Sequence, residues 1–276
     1  MLARQRLVEL GQDAPPPFPE PPAETDEADA AVAWPEDVTL YAALGLREDA
    51  RDALRGRERA LREAGGLRAL VAAYQRLGEP SRLVRLVGGP STTRRRQRPG
   101  PGDRWRWDAA YPRPWPGAVG AASRAAGLSP AHLYAIMRQE SGYDPDAVSY
   151  ADAIGLMQLI PPTAERLAEG LGLELEREML FDPAVNVRLG AAYVGALVER
   201  FGLPLAFAAF NAGEHRVDEW LEEQGRTELD LFVERMPYQQ TRNYVRRVTT
   251  HYAHYLYLDD PDSGWPLTLP SHVGDE

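Results

Sequence analysis

The segment SPAHLYAIMRQES, residues 129–141, contains an apolar helical stripe that ends in a carboxylate. Leu133, Ile136 and Met137 follow the i, i+3, i+4 spacing of a buried helix face, and Glu140 takes the next position on that face. Burial and the negative partial charge at a helix C-terminus both disfavour an ionised carboxyl, so both should raise the pKa of Glu140. A carboxyl group that stays protonated near neutral pH can act as a general acid.

Two other interpretations of Glu140 fit the same spacing. The carboxylate can pair with an arginine, or it can lie at the rim of the domain with its head group in water. In every case a short helix must position it. Ser129 is a good N-cap and Pro130 suits the first helical position, whereas Gly142 and Pro145 should prevent the helix from continuing.

The composition excludes several other kinds of chemistry. The chain has 276 residues, with 44% hydrophobic and 26% charged residues, which is ordinary for a globular protein. It has no cysteine, which excludes disulfides, thiol nucleophiles and thiolate metal sites. Its net charge of −10 argues against nucleic-acid binding. No apolar run is long enough to predict a transmembrane segment, and the start lacks the apolar core of a signal peptide.

The chain divides into five predicted segments. Residues 1–36 are predicted to be disordered or a linker, since 12–36 are rich in Pro, Glu, Asp and Ala. Residues 37–88 are predicted to be helical; LYAALGL and AYQRLGE overlay at an offset of 33 residues, which is typical of helix-turn-helix repeats. A Pro/Gly/Arg linker at 89–104 precedes a helical domain at 105–260, and 261–276 form a tail.

The domain that begins at residue 105 has strong helical signals. Asp182 and Pro183 predict the start of a helix that runs to Phe201, and LPLAFAAF is apolar on all sides, as expected of a central buried helix. At most a small sheet is expected, near 153–159, so the class is all-α. The last helix carries an apolar stripe made of Thr241, Tyr244, Val245, Val248, Tyr252 and Tyr255.

Other catalytic motifs are missing from the sequence. It has no glycine-rich phosphate loop and no GxSxG motif. His251 and His254 have the spacing of a ligand pair, but no third ligand is evident, so neither a metal nor a cofactor is predicted. Acid/base chemistry is the main catalytic option that remains.

Four segments resemble the catalytic domain of the soluble lytic murein transglycosylases, in the order and spacing of that family. They are AIMRQESGYDPDAVSYADAIGLMQLIPPTAERLA, DPAVNVRLGAAYVGALVERF, LAFAAFNAGEHRVDEW and VERMPYQQTRNYVRRV. The similarity covers residues 105–257. It implies a catalytic domain with the fold of goose-type lysozyme. The helical segment before it is similar to the end of the family's α-superhelix, which is longer in other members.

The resemblance also implies a role for individual residues. Glu140 matches the single catalytic acid/base of the family. The family has Tyr where this chain has Phe210, so a hydroxyl expected near the reacting sugar is missing, and Tyr143, Tyr150 or Tyr244 can be considered as substitutes. The residues that match the substrate-binding positions of the family are Ser149, Met157, Gln158, Phe210, Asn211, Glu234 and Tyr244.

Most of the matched residues also have an ordinary structural interpretation. Ser149 can cap a turn, and Met157 can fill a gap in the core. Asn211 before Ala-Gly can end a helix. Glu234 can be a solvated charge, and Tyr244 lies on an apolar stripe where it would usually be part of the core.

The function implied by the resemblance is cleavage of peptidoglycan glycan strands. The bond would be the β-1,4 bond between N-acetylmuramic acid and N-acetylglucosamine, and the product would carry a 1,6-anhydromuramic end. The alternatives are a hydrolytic muramidase on the same fold, or an inactive glycan-binding or scaffold protein. The family also implies the periplasm or cell envelope as location, and proteins of cell-wall synthesis or remodelling as partners.

Overall fold

The computed structural model describes residues 2–16, 18, 35–88, 102–261 and 269–273. These residues form fourteen α-helices and one 3-10 helix, and no extended strand occurs among them. The predicted all-α class is therefore confirmed. None of the helices in this part of the chain has the length and apolar character needed to span a membrane.

The chain forms two compact units, Phe18–Pro114 and a second one that combines Met1–Pro17 with Trp115–Glu276. In the first unit, Gly45 and Gly78 adopt left-handed φ angles of 76° and 72° where helices end. These are the two glycines that the predicted repeat offset aligned. The helices of this unit are α2 (Glu36–Ala43), α3 (Arg47–Glu63), α4 (Leu67–Leu77), α5 (Pro80–Val87) and α6 (Arg104–Ala110).

The Phe18–Pro114 unit has its own hydrophobic core, in which Leu54, Leu70 and Tyr74 are buried. Ala109 of α6 belongs to this core and Trp105 packs against it. The sequence instead placed residues 105–114 in the catalytic domain. The cause of the difference is that the apolar face of α6 packs on α4 and α5, a contact that local composition does not show. The exact extent of a catalytic domain stays a prediction.

The other unit is built around α11, as its apolar sequence predicted. All residues from Leu205 to Ala209 are buried, and α10, α12 and α14 pack around them. The helix α8 packs against α14, α7 and α10. The helices of this unit are α1 (Leu2–Glu9), α7 (Pro116–Ala125), α8 (Pro130–Glu140), α9 (Pro161–Gly170), α10 (Pro183–Phe201), α11 (Leu205–Ala212), α12 (Glu214–Gln224), α13 (Leu229–Arg235) and α14 (Gln239–Asp259).

Both ends of the chain contribute to this unit. Residues 1–36 were predicted to be disordered or a linker, and for α1 this is wrong. Arg6 lies 2.6 Å from the carboxylate of Glu228, and Gln5 donates a hydrogen bond of 2.5 Å to the carbonyl of Leu269. Leu229 N–H also donates to the carbonyl of Ser271, so part of the predicted tail packs beside α13.

Docking against other elements stabilises α1, which has no buried residue of its own and only a weak apolar pattern. The rest of the predicted disordered segment from 19 to 34 lies outside the described residues. The same holds for residues 89–101 of the predicted linker and for 262–268 and 274–276 of the tail.

Candidate active site

The geometry of α8 places Glu140 at the C-terminal end of a buried helix, as the sequence predicted. Ser129 caps the helix, since its hydroxyl oxygen accepts a hydrogen bond of 3.3 Å from the amide of Ala131. Ile136 and Met137 are fully buried, whereas Glu140, the last residue of α8, is half-buried. The apolar stripe therefore fixes the helix in the core and leaves its terminal carboxyl at a partly open position.

The carboxyl of Glu140 contacts the phenol of Tyr244 on α14. The Tyr244 hydroxyl donates a hydrogen bond of 2.5 Å to Oε1 of Glu140. Burial, with the nearby Glu140 charge as a second cause, raises the pKa of Tyr244 well above its usual value, so the phenol stays a donor. Among the described ion pairs none includes Glu140, so the arginine pair considered from the sequence is not observed there.

Burial raises the pKa of Glu140 to about 7, and the hydrogen bond from Tyr244 opposes this shift. The expected direction of the shift is thereby confirmed. Near neutral pH the two protonation states are comparably populated, so the carboxyl can both give and take a proton. That property is what a single acid/base group needs.

Substitution of Tyr244 by Phe should raise the pKa of Glu140 further. The hydroxyl stabilises the ionised carboxylate, and its loss should shift the pKa upward by about one unit, equivalent to about 1.4 kcal/mol. The shift can be measured by a ¹³C NMR titration of the carboxyl. Tyr252→Phe is the control, because Tyr252 lies on the same helix but packs against the ring of His132. A pKa that falls or stays level in Tyr244→Phe would contradict the assigned hydrogen bond.

The segment after Glu140 is attached to the end of α8. Ser141 donates a hydrogen bond of 2.9 Å to the carbonyl of Leu156. Tyr143, Asp152 and Gln158 have positive φ angles of 67°, 62° and 49°, which are uncommon for residues other than glycine. Such conformations persist only where the surrounding contacts impose them, and they concentrate at functional sites. The segment is therefore a constrained loop beside the carboxyl.

Asn186 on α10 fixes the opposite side of this loop, and the sequence analysis missed it. The side chain is fully buried, and its Oδ1 accepts a hydrogen bond of 2.8 Å from the amide of Met157. Its Nδ2 donates to the carbonyls of Ile154 and Leu180, at 3.0 and 2.9 Å. The signal was present in the sequence: Asn186 is a polar residue on the same helical stripe as Gly190, four residues on.

The predicted residues of this loop serve its structure. Met157 is 0% exposed, and a Cβ atom at position 190 would lie 2.2 Å from its sulfur, so its side chain fills the space left by Gly190. The enclosed thioether agrees with the interpretation of Met157 as a residue that fills a gap in the core, and its role in substrate binding stays a prediction. The hydroxyl of Ser149 accepts hydrogen bonds from the amides of Ala151 and Ala153, as expected of a turn cap.

Gln158 has a similar structural contact. Its amide Nε2 donates hydrogen bonds of 3.0 Å to the carbonyls of Ala147 and Gly155, which ties two parts of the loop together. At most a small sheet was expected near 153–159, and the structure has two isolated bridges there, Val148 with Ile154 and Ile154 with Leu159. Gln158 thus holds the loop in shape.

The other predicted substrate-binding residues lie on three helices. The ring of Phe210 lies 5.5 Å from that of Tyr193, and Asn211 Oδ1 accepts a hydrogen bond of 3.0 Å from Thr241. Glu234 is exposed and pairs with Arg246, which fits the solvated-charge interpretation. Tyr244 is the predicted binding residue that the structure brings into direct contact with Glu140. For the remaining ones a role in binding stays a prediction.

The tyrosines considered as substitutes for the hydroxyl missing at Phe210 have different surroundings. Tyr143 is buried, and its hydroxyl bonds to the carbonyl of Tyr134 and to the hydroxyl of Tyr255. Tyr150 is fully exposed. Of the three, Tyr244 is the one whose hydroxyl contacts Glu140.

Metal binding has no structural support in the described part of the chain. There, no group of three or more His, Asp or Glu side chains has an arrangement that could hold a metal ion. His254 Nδ1 lies 2.7 Å from the carbonyl of Thr250 in the preceding turn. The absence of a metal from the mechanism stays a prediction.

Comparison with known proteins finds similarity in the region that includes Glu140. Residues 117–233 match the family model described as "Transglycosylase SLT domain". The soluble lytic murein transglycosylase of Salmonella typhimurium is 36% identical over 141 residues, which are 49% of this chain and 22% of that protein.

Two solved structures are similar in fold. The lytic transglycosylase Slt of Pseudomonas aeruginosa, solved as an inactive Glu-to-Gln mutant, has a TM-score of 0.70 and 26% identity over 99% of this chain and 43% of that one. The 70 kDa soluble lytic transglycosylase of Escherichia coli has a TM-score of 0.61 and 22% identity over 96% of this chain and 42% of that one. This chain thus spans less than half the length of these proteins.

Proposed function

We propose that this chain cleaves peptidoglycan glycan strands, because residues 117–233 match the transglycosylase SLT domain model. The bond broken is the β-1,4 bond between N-acetylmuramic acid and N-acetylglucosamine. The observation that carries the proposal is the carboxyl of Glu140, with a pKa raised to about 7 and a tyrosine hydroxyl bonded to one of its oxygens.

In the first step Glu140 acts as the general acid. Its carboxyl proton moves to the glycosidic oxygen while the bond from that oxygen to the anomeric carbon of the muramic sugar breaks. The positive charge that develops at the anomeric carbon is stabilised by the carbonyl oxygen of the sugar's own N-acetyl group. The hydroxyl of Tyr244 stabilises the carboxylate that Glu140 has become.

In the second step the same carboxylate acts as the general base. It takes the proton from the C6 hydroxyl of the muramic sugar, and the C6 oxygen forms a bond to the anomeric carbon. The product is a 1,6-anhydromuramic end, and Glu140 is again protonated. One residue serves twice because its pKa lies near neutral, where neither proton transfer is strongly uphill.

Two observations support Glu140 as the acid/base group. It is the carboxyl whose pKa burial raises most clearly, while Asp152 on the neighbouring loop has a pKa lowered by its hydrogen bonds with Arg177. The Slt structure of Pseudomonas aeruginosa is of a mutant that is inactive with glutamine in place of a glutamate. An acid/base glutamate is therefore the assignment that fits both the geometry and this relative.

The products of digestion test the proposal. The full chain is incubated with purified peptidoglycan, and the soluble fragments are analysed by mass spectrometry. Anhydromuramic ends, lighter by one water than reducing ends, are the expected result. Reducing ends would identify a hydrolytic muramidase on the same fold, and intact strands would identify a glycan-binding or scaffold protein.

The substrate sets the proposed location and partners. Peptidoglycan lies in the cell envelope, so we propose that the chain acts there, in the periplasm where the organism has one. Proteins of cell-wall synthesis or remodelling are the proposed protein partners. The Salmonella typhimurium relative is named for murein, which agrees with this substrate class.

A further inference from the structure

The loop beside Glu140 carries three exposed apolar side chains. Tyr150 at its tip is fully exposed, and Val148 and Ile160 are 53% and 42% exposed. A single exposed apolar residue is ordinary on a protein surface. Three of them on one short loop leave apolar area in water without an evident structural reason, and such surfaces often bind ligands. We call Val148, Tyr150 and Ile160 the rim residues.

The backbone that presents Tyr150 is held on both sides. The amide of Ser149 donates a hydrogen bond of 2.9 Å to the carbonyl of Ala153, and the Ser149 hydroxyl accepts two more from the turn. Asp152, with its positive φ angle, forms a bidentate pair with Arg177, in which one contact measures 2.7 Å. An exposed ion pair adds little stability, but two parallel contacts fix the orientation of the two side chains relative to each other.

The rim residues belong to the loop that follows Glu140 in the chain. Val148 bridges to Ile154, Ile154 bridges to Leu159, and Leu159 immediately precedes Ile160. The same loop is bonded to the residue after Glu140 through the hydrogen bond from Ser141 to Leu156. Tyr150 therefore lies on a loop that is hydrogen-bonded to the end of the helix that carries Glu140.

We propose that Tyr150 is a stacking platform for a sugar ring of the glycan strand, outside the pair of sugars whose bond is broken. This inference rests on the proposed function, because it takes the glycan strand as the ligand. A pyranose ring presents an apolar C–H face that can pack on an aromatic ring, while the tyrosine hydroxyl stays in water. The constrained backbone lowers the entropic cost of ordering this contact on binding.

A sugar fits the rim residues better than a protein partner does. Their apolar area is small, and the loop segment between Val148 and Ile160 also carries polar backbone and the Ser149 side chain. Stable protein interfaces bury about 800 Å² on each partner, far more than three side chains supply. One ring of a strand that continues to Glu140 needs no more than Tyr150 offers.

The test uses the full chain and three variants. Tyr150→Ala should raise KM on long glycan strands, and weaken co-sedimentation with peptidoglycan sacculi, by about tenfold, with kcat changed less than about twofold. Tyr150→Phe keeps the ring and should behave like the parent chain. Val8→Ala removes an exposed apolar side chain from α1 and serves as the matched control. Melting temperatures should agree within about 1 °C, since Tyr150 is fully exposed.

The two readouts separate this inference from the proposed function. If the parent chain releases no fragments, the proposed function fails, while sedimentation with sacculi still reports on Tyr150. If Tyr150→Ala binds sacculi as tightly as the parent chain and has the same KM, the platform does not exist. Equal losses in Tyr150→Phe and Tyr150→Ala would also overturn it, because the phenylalanine ring offers the same stacking face.

Discussion

Glu140→Gln is expected to lower turnover on peptidoglycan by at least about 10²–10⁴-fold, the usual contribution of one general acid or base. Glutamine keeps the shape of the side chain and can still accept the hydrogen bond from Tyr244. It cannot release a proton to the glycosidic oxygen, and it cannot take one from the C6 hydroxyl. Both proposed steps are lost together, so the loss should lie at the upper end of this range.

The same substitution should increase stability at neutral and alkaline pH. The pKa of Glu140 is raised from 4.5 to about 7 in the folded chain, so the ionised form is the one that folding disfavours. The stability that the protonated carboxyl supplies is fully present below pH 4.5 and is lost as the pH rises through 7. At one to two pH units above 7, the free energy of unfolding of the parent chain has fallen by at most about 3 kcal/mol. Glutamine does not ionise, so Glu140→Gln avoids this decrease.

Two measurements check the expected result for Glu140→Gln. Release of soluble fragments gives the turnover, and urea unfolding at pH 4 and pH 8 gives the stabilities of both chains. A variant that turns over at a near-normal rate would refute Glu140 as the acid/base group. A variant equally destabilised at both pH values would show that the lost activity reflects damaged folding.

Asn186→Ala is expected to reduce the free energy of unfolding by about 3 kcal/mol or more. The substitution removes one acceptor and one donor group that together satisfy the amide of Met157 and the carbonyls of Ile154 and Leu180. These backbone groups are buried, and a buried polar group without a partner costs about 1–3 kcal/mol. The constrained loop should loosen as well, so activity should fall by more than the unfolded fraction explains.

Chemical denaturation of Asn186→Ala measures this loss. Asn243→Ala is the matched control, because the side chain of Asn243 on α14 accepts a long, exposed hydrogen bond of 3.5 Å from Arg246. Asn243→Ala should change the free energy of unfolding by no more than about 0.5 kcal/mol. If Asn186→Ala is no less stable than Asn243→Ala, the hydrogen bonds of Asn186 do not hold the loop.

Much of the helical fold could be predicted from the sequence, because apolar residues on the buried face of a helix recur with a period of 3.6 residues. The start of α10 at Asp182 and Pro183, the buried α11 and the apolar stripe of α14 all follow such patterns. The position of Glu140 followed from the same rule, as the one carboxyl on an apolar stripe. Its partner Tyr244 also lay on a stripe, but periodicity alone could not pair the two.

The features that the sequence did not show lie where no period exists or where contacts join distant parts of the chain. The loop from 141 to 160 has no regular repeat, so its sequence did not show that the Met157 side chain is enclosed against Gly190. The packing of α6 against α4 and α5 joins helices that lie on either side of residues 89–101, and composition does not show such a contact. Asn186 was not predicted, because a polar residue on a helix is usually exposed and its burial here comes from contacts with a loop that is distant in sequence.

The hydrogen bond between Glu140 and Tyr244 joins residues that are 104 positions apart in the chain. During synthesis the glutamate emerges first, and more than a hundred residues must follow before its tyrosine exists. Until α14 has been translated and docked, no phenol stabilises the ionised carboxylate. A polypeptide whose translation stops between these two positions therefore carries the acid without its partner, and the hydrogen bond to Glu140 forms only after α14 has been made.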